Sequence, residues 1–180
     1  SVLFVSRTGE IADRYRKTHV PGVRSFEKYY FRPGSRITPF SAQWGRFGCL
    51  LCQDRFFPEA ARVLALQGAS VIFVLNASPD YARFRETWEP IYMTRAYENG
   101  CFVVAVNRCG TEGQVRFFGR SAVFAPDGRA LERAGEEEAS IVAEIDLAEV
   151  RRSRNTLQMY RDYRPELYRP IVSFTGMDEE

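Results

Sequence analysis

A cysteine that follows a buried strand is the residue of this sequence best suited to nucleophilic chemistry. Cys52 ends the apolar run Phe47–Cys52, and the chain then leads into a helix predicted over Pro58–Gln67. Open α/β sheets bind ligands at the carboxyl ends of their strands, and the amino end of a helix stabilises a thiolate. The pattern indicates a reactive thiol, the alternative being a small buried hydrophobic residue, which is the commoner use of a cysteine in an apolar run.

A second cysteine three residues earlier introduces a redox alternative. Cys49 and Cys52 form a Cys-x-x-Cys pair within one predicted strand, where an offset of three places two side chains on opposite faces. That geometry argues against a disulfide. A zinc site is also disfavoured, because His19 is the single histidine and the sequence has no second Cys-x-x-Cys pair. We therefore expect neither a metal nor a cofactor.

Two charged residues could assist such a thiol. Lys17 closes the second predicted strand and is one of only two lysines in the chain. A compact ammonium group can stabilise the oxyanion that develops on a reacting carbonyl, whereas the plain alternative is a solvated strand end. Glu27 lies between aromatic residues that could bury it, and its alternative is a surface ion pair with Lys28 or Arg24.

The elements that must position these residues alternate as in an α/β protein. Strands are predicted at Phe47–Cys52, Val71–Leu75 and Cys101–Val106, with helices at Pro58–Gln67 and Arg83–Asn99 between them. Alternation of this kind is typical of a mostly parallel sheet that helices cover.

Shorter segments are predicted on either side of that core. They are a hairpin of Val2–Ser6 and Ile11–Lys17, a long ordered loop over residues 18–36, strands at Phe117–Phe118, Ser121–Phe124 and Ile141–Ile145, and a helix over Leu147–Ser153 capped by Asp146. The strands after residue 116 carry the turn residues of antiparallel hairpins.

Composition excludes several classes of protein. The chain has 180 residues, 45% of them hydrophobic and 27% charged, which suffices for one core without disulfides. A net charge of +2 with both signs interspersed argues against a nucleic-acid or anionic-membrane surface. No apolar run is long enough to cross a bilayer, and four cysteines outside any disulfide framework favour a reducing cytoplasm. We expect one domain over residues 1–180, located in the cytoplasm.

Three segments of the chain carry the candidate residues in order. Residues 15–19 read Tyr-Arg-Lys-Thr-His, residues 26–34 read Phe-Glu-Lys-Tyr-Tyr-Phe-Arg-Pro-Gly, and residues 48–62 begin Gly-Cys-Leu-Leu-Cys-Gln-Asp-Arg. In this order they resemble the lysine, second-glutamate and cysteine motifs of the nitrilase superfamily of carbon–nitrogen hydrolases. The resemblance continues through Asn-Ala-Ser-Pro at residues 76–79 to residues 161–168, so it covers nearly the whole chain.

The resemblance implies a fold, an assembly and a mechanism. The family fold is a four-layer α-β-β-α sandwich, and its members generally form homodimers. Cys52 would be the nucleophile, Lys17 would stabilise the oxyanion, and Glu27 would position Lys17 or the substrate. The implied reaction is attack of the thiolate on a small amide, carbamoyl or nitrile compound, loss of ammonia or an amine, and hydrolysis of the thioester.

Two further residues are candidates for binding the substrate. Arg55 could pair with a substrate carboxylate, as in some carbamoylases of the family, or form a salt bridge with Glu59 along the helix edge. Asn76 opens the Asn-Ala-Ser-Pro segment, which resembles the amidase and glutaminase branches as much as the carbamoylase branch. The sequence therefore leaves the substrate open within amides and N-carbamoyl compounds.

One part of the family pattern has no match. The general-base glutamate of the superfamily belongs to a segment that precedes the lysine motif, and none of the 180 residues matches that segment. We therefore expect the sequence to begin inside the fold, without the amino-terminal portion of the sandwich, and the chain by itself to be inactive. The alternative is a non-catalytic interaction or regulatory protein that keeps the fold with an incomplete triad.

Overall fold

A six-stranded mixed sheet forms the centre of the computed structural model, which describes residues 1–22 and 25–173. The strands are β1 (Val2–Val5), β2 (Ile11–Tyr15), β3 (Phe40–Ala42), β4 (Gly45–Leu51), β5 (Val71–Asn76), β6 (Phe102–Asn107), β7 (Cys109–Glu112), β8 (Val115–Phe118), β9 (Ala122–Phe124) and β10 (Ala130–Arg133). The helices are α1 (Glu27–Tyr30), α2 (Pro58–Leu66), α3 (Ala82–Asn99), α4 (Ala148–Leu157) and α5 (Arg169–Ser173).

The central strands of the sheet are parallel, as the alternation of strands and helices predicts. The order is β10-β9-β6-β5-β4-β3, in which β4, β5 and β6 run parallel and the remaining pairings are antiparallel. A parallel sheet needs apolar residues on both faces, and Val71, Ile72 and Val103 are accordingly buried. The registers pair Leu51 with Leu75 and Asn76 with Asn107, so these three strands end along one edge of the sheet.

Close packing of α2 on β4 holds the region around Cys52. A Cβ atom on Gly48 would lie 2.5 Å from Leu64 Cδ1, so only glycine allows the helix to approach this strand so closely. The next helix, α3, packs against β6 and β9 of the same sheet. Its Trp88 and Tyr92 are buried, and Trp88 Nε1 donates to the Arg120 carbonyl at 2.6 Å.

The predicted hairpin of β1 and β2 is confirmed, and it packs against the sheet through aromatic side chains. The Phe4 ring stacks on Phe40 with centroids 5.9 Å apart and meets the edge of Phe47 at 5.1 Å. Tyr15 at the end of β2 is buried. This packing carries the residues after β2, including Lys17, toward the carboxyl end of β4.

The strand predicted at Ile141–Ile145 is wrong. That segment has no ladder pairing, and Val142 is 87% exposed. The place beside β9 is taken by β10 instead, because the turn at residues 126–128 reverses the chain at once: the Gly128 N–H donates to the Ala125 carbonyl at 2.9 Å. The sequence does predict this turn. The strand that pairs with β9 is nevertheless β10 and not Ile141–Ile145, because β10 closes a shorter loop, which costs less entropy.

The loop predicted over residues 18–36 contains one turn of helix, α1, and its aromatic side chains point outward. Phe26, Tyr29 and Tyr30 are largely exposed. Within the described residues they therefore do not bury Glu27, contrary to one of the two readings of the sequence.

The last long helix, α4, begins at Ala148, one residue later than predicted, and its N-cap residue is Leu147 instead of the predicted Asp146. The Asp146 carboxylate accepts the Ala148 N–H at 2.9 Å and pairs with Arg152 at 2.7 Å, and these hydrogen bonds lower the pKa of Asp146. Across the described ranges, none of the helices is both long and apolar enough to span a bilayer.

Candidate active site

Cys52 lies at the point where β4 ends. It is the first residue of a 3₁₀ turn, Cys52–Phe56, and its φ of 45° is in the left-handed region. An L-residue held there costs about 1–2 kcal/mol of strain. The strained turn places the nucleophile candidate at the carboxyl edge of the parallel strands, where the sequence predicts it.

An open cleft of about 700 Å³ lies at this edge. Four of the predicted site residues line it together: Lys17, Glu27, Cys52 and Asn76. Residues far apart in the sequence therefore meet around one cavity. Arg55, the fifth, is not among the lining residues and lies behind Cys52.

An ion pair joins the two charged candidates. Lys17 Nζ donates to Glu27 Oε2 at 2.6 Å, and the side chains are 15% and 36% exposed. Glu27 thus pairs with Lys17 and not with its sequence neighbour Lys28, while Arg24, the other alternative, lies outside the described residues. The Lys17 carbonyl also accepts the Gly34 N–H at 2.7 Å, so the 18–36 loop contacts Lys17 at two points, Glu27 and Gly34.

The guanidinium of Arg55 is buried against the nucleophile candidate. Arg55 is only 4% exposed, and its Nη1 lies 3.4 Å from Cys52 Sγ and 2.9 Å from Asn76 Oδ1. The guanidinium carbon lies 4.4 Å from the ring centroid of Phe56 and 5.9 Å from that of Trp88, a cation–π environment. The ion pair with Glu59 that the sequence offered as an alternative is absent from the described residues.

Asn76 connects Arg55 to the core. Its Nδ2 donates to the carbonyls of Val74 and Val106 at 2.9 and 3.0 Å, which directs Oδ1 toward Arg55 and the Tyr92 hydroxyl, 3.1 Å away. Burial raises the pKa of Tyr92, so this hydroxyl stays protonated and donates. The amide is thereby fixed in orientation on the wall of the cleft.

A buried carboxylate that sequence analysis missed lies two residues after Cys52. Asp54 is fully buried and accepts hydrogen bonds from Tyr15, Thr18, His19 and Leu51. The signal available in the sequence was an acidic residue directly after an apolar strand, because a carboxylate in such surroundings needs several donors.

The remaining thiols are less suited to reaction. All four cysteines are free. Burial raises the pKa of both Cys49 and Cys101 to about 12, and Cys109 lies on β7, away from the cleft lining. In the described residues no group of three or more histidine, cysteine and acidic side chains could hold a metal ion.

Comparison with known proteins gives a consistent family. The family model for carbon–nitrogen hydrolases matches residues 1–155. The N-carbamoylputrescine amidase of Solanum lycopersicum is 35% identical over 192 residues, covering 98% of this chain and 64% of its own length. The citrullinase of Francisella tularensis is 34% identical over 185 residues, covering 96% and 64%. The chain thus spans slightly less than two thirds of these relatives.

Solved structures agree with the sequence relatives. The carbon–nitrogen hydrolase of Helicobacter pylori G27 superposes with a TM-score of 0.87 at 33% identity, covering 94% of this chain and 64% of that one. A glutamate-to-glutamine variant of the amidase from Nesterenkonia sp. AN1, with the acetamide moiety of fluoroacetamide added covalently at its active-site cysteine, superposes with a TM-score of 0.78 at 29% identity, covering 93% and 59%. The nitrilase-like α/β fold expected from the sequence is confirmed, and the chain belongs to the carbon–nitrogen hydrolase family of the nitrilase superfamily.

Proposed function

We propose that the protein hydrolyses the C–N bond of a small amide or N-carbamoyl compound, with Cys52 as the nucleophile. The observation that carries this proposal is the cleft that Cys52 shares with the Lys17–Glu27 ion pair. A thiol beside a fixed ammonium group supplies both a nucleophile and a site for the developing oxyanion. Relatives whose names specify amidases and a citrullinase support the same reaction class.

The proposed reaction has two halves. The Cys52 thiolate attacks the carbonyl carbon, forming a C–S bond, and the Lys17 ammonium stabilises the oxyanion of the tetrahedral intermediate. The C–N bond then breaks, and the leaving nitrogen takes up a proton to depart as ammonia, which leaves a thioester on Cys52. Water attacks the thioester and loses a proton, and the C–S bond breaks to release the acid and restore the thiol. Glu27 keeps Lys17 in place through the 2.6 Å contact.

A proton carrier is needed in both halves. We assign it to the general-base glutamate of the superfamily, whose motif none of the 180 residues matches. Of the described residues that line the cleft, Glu27 is the single acidic one, and it is engaged by Lys17. Residues 1–180 on their own are therefore expected to bind substrate without turning it over.

The charge of the cleft favours one class of substrate. In the part of the chain that the structure describes, three basic residues, Arg16, Lys17 and Arg32, and one acid, Glu27, line it. Since Lys17 and Glu27 offset each other as an ion pair, Arg16 and Arg32 leave the cleft positive. We propose that a substrate bearing a carboxylate is preferred over one bearing an ammonium group. Asn76 forms part of the cleft wall, and the buried Arg55 behind it fixes its side chain through the 2.9 Å contact.

Ammonia release by the natural protein tests the proposal. The panel contains three amides or carbamoyl compounds matched in size: one with a carboxylate, one neutral, and one with an ammonium group. We expect release from the anionic member first, loss of release in Cys52→Ala, and no release from the 180-residue chain. Absence of ammonia release by the folded natural protein would favour the non-catalytic alternative, an interaction or regulatory protein.

Three further properties belong to the same proposal. We propose that residues 1–180 act as one catalytic domain, supported by a hydrophobic core cluster of described residues that joins the hairpin, sheet and helices. We propose a homodimer, supported by exposed apolar side chains such as Val142 and Ile171, and a reducing cytoplasm, supported by four free thiols. Light scattering of the natural protein tests the assembly, and fractionation of its cells tests the compartment.

A further inference from the structure

The carboxylate of Asp54 joins the turn that carries Cys52 to the segment that carries Lys17. Asp54 is fully buried, two residues after Cys52 in the same 3₁₀ turn. Its Oδ2 accepts the Leu51 N–H at 2.8 Å, which ties the carboxylate to the end of β4, and the Tyr15 hydroxyl at 2.7 Å, which ties it to the end of β2. One carboxylate oxygen therefore bridges two elements that are 36 positions apart in the sequence.

The other carboxylate oxygen holds the chain on the far side of the lysine. Asp54 Oδ1 accepts the Thr18 hydroxyl at 3.0 Å and the His19 backbone N–H at 2.9 Å, and lies 2.8 Å from His19 Nδ1. The His19 ring in turn stacks on Phe57, with centroids 3.7 Å apart. The contacts of Asp54 thus lie on both sides of Lys17, at residue 15 and at residues 18 and 19.

We propose that Asp54 is a positioning residue that sets where the Lys17 ammonium lies relative to the Cys52 thiol. Four donors from residues 15–19 and 51 converge on this one buried carboxylate. A buried carboxylate that loses its donors costs free energy, so the hydrogen bonds to Asp54 favour one arrangement of the two segments. The effect on turnover rests on the proposed function, whereas the placement of Lys17 does not.

Two substitutions weaken this network to different degrees. Asp54→Asn replaces one acceptor oxygen with an NH₂ group, which cannot accept, so either the Tyr15 and Leu51 donors or the Thr18 and His19 donors lose their acceptor. Tyr15→Phe removes a single hydroxyl, adds no new donor and keeps the buried ring. Asp127→Asn is the matched control, because Asp127 is exposed and its carboxylate binds Arg129 within a surface turn.

The position of Lys17 can be measured without a substrate. Iodoacetate and iodoacetamide both alkylate the same thiolate at Cys52, so the ratio of their rates cancels the reactivity of the sulfur and reports the local positive charge. Peptide mapping of the full chain gives this ratio at Cys52, and Lys17→Ala gives its value without the ammonium. We expect the ratio in Asp54→Asn to fall at least threefold, toward the Lys17→Ala value, in Tyr15→Phe to fall part of the way, and in Asp127→Asn to stay at the wild-type value.

The outcomes separate this inference from the proposed function. An unchanged ratio in folded Tyr15→Phe, which leaves the charge of Asp54 in place, would overturn the positioning role. A lowered ratio supports the role even in a protein that releases no ammonia. Where the natural protein is active, positioning further requires that kcat falls in Tyr15→Phe while KM stays within about twofold, and a loss confined to KM contradicts it.

Discussion

Strain at Cys52 predicts an unusual order of stability for two substitutions at this position. The residue is held at a φ of 45°, where any Cβ atom approaches the following carbonyl. Cys52→Ala keeps that Cβ atom, whereas Cys52→Gly removes it. We therefore expect the glycine variant to be the more stable of the two, the reverse of the usual order.

The expected difference follows from two opposing effects. Relief of the left-handed strain favours glycine by about 1–2 kcal/mol, while the greater freedom of glycine in the unfolded chain disfavours it by about 0.4–1 kcal/mol. Cys52→Gly should therefore exceed Cys52→Ala in the free energy of unfolding by roughly 0.5–1 kcal/mol. In a chain of this size that difference raises the Tm by about 1–4 °C.

Urea unfolding followed by circular dichroism measures both variants, and Cys49 supplies the control. Cys49 lies within β4 and is absent from the residues of positive φ, so Cys49→Gly should be less stable than Cys49→Ala by about 0.5–1 kcal/mol. The reasoning is refuted if Cys52→Gly is equal to or less stable than Cys52→Ala. It is also refuted if the two positions show the same order.

Further predictions concern the lysine, a buried thiol and a close backbone contact. Lys17→Ala in the natural protein should lower kcat about a hundred- to thousandfold, since an oxyanion donor contributes about 3–4 kcal/mol. Lys17→Arg should restore little of this activity. If Lys17→Ala kept more than a tenth of the activity, the role of Lys17 in stabilising the oxyanion would be contradicted. At pH 8, iodoacetamide should label Cys49 on the order of a thousandfold more slowly than an unperturbed thiol, because burial raises its pKa from 9.0 to about 12. The labelling rate of Cys49 should rise about tenfold per pH unit as the pH approaches that pKa. Peptide mapping that finds Cys49 as reactive as Cys52 would disprove the prediction. Gly34→Ala should lower the free energy of unfolding by about 1–3 kcal/mol, because its Cβ would lie 2.4 Å from the Arg16 carbonyl oxygen. The control is Gly135→Ala, where the added Cβ would meet nothing within 4 Å. Equal losses of the two variants in urea unfolding would refute the prediction.

Local pattern in the sequence was sufficient for the parallel core of the fold. The helices and strands from residue 47 to residue 107 lie within one or two residues of their predicted bounds, because each is set by its own apolar run and by flanking glycine or proline. The pairing of the antiparallel strands could not be predicted as well from the sequence. Ile141–Ile145 has the composition of a strand, but the neighbour of β9 is decided by which segment closes the shorter loop, and β10 does.

The sequence by itself determined which residue types could do chemistry, and only the tertiary structure decided what each one faces. Motif order indicated Cys52, Lys17 and Glu27 because the chemistry of a thiol, an ammonium and a carboxylate belongs to the side chains themselves. The 2.6 Å pair of Lys17 with Glu27, rather than of Glu27 with an adjacent lysine, requires the 18–36 loop to fold back on β2.

Arg55 and Asp54 show the same division most clearly. The sequence left two partners open for Arg55, a substrate carboxylate and Glu59. In the structure its guanidinium contacts Cys52 and Asn76, because the aromatic rings that enclose it come from α3 as well as from its own turn. The sequence analysis did not select Asp54, because three of its four donor residues, Tyr15, Thr18 and His19, lie more than 30 positions away. Burial and hydrogen-bond partners depend on chain segments that meet only after folding, so no local pattern can specify them.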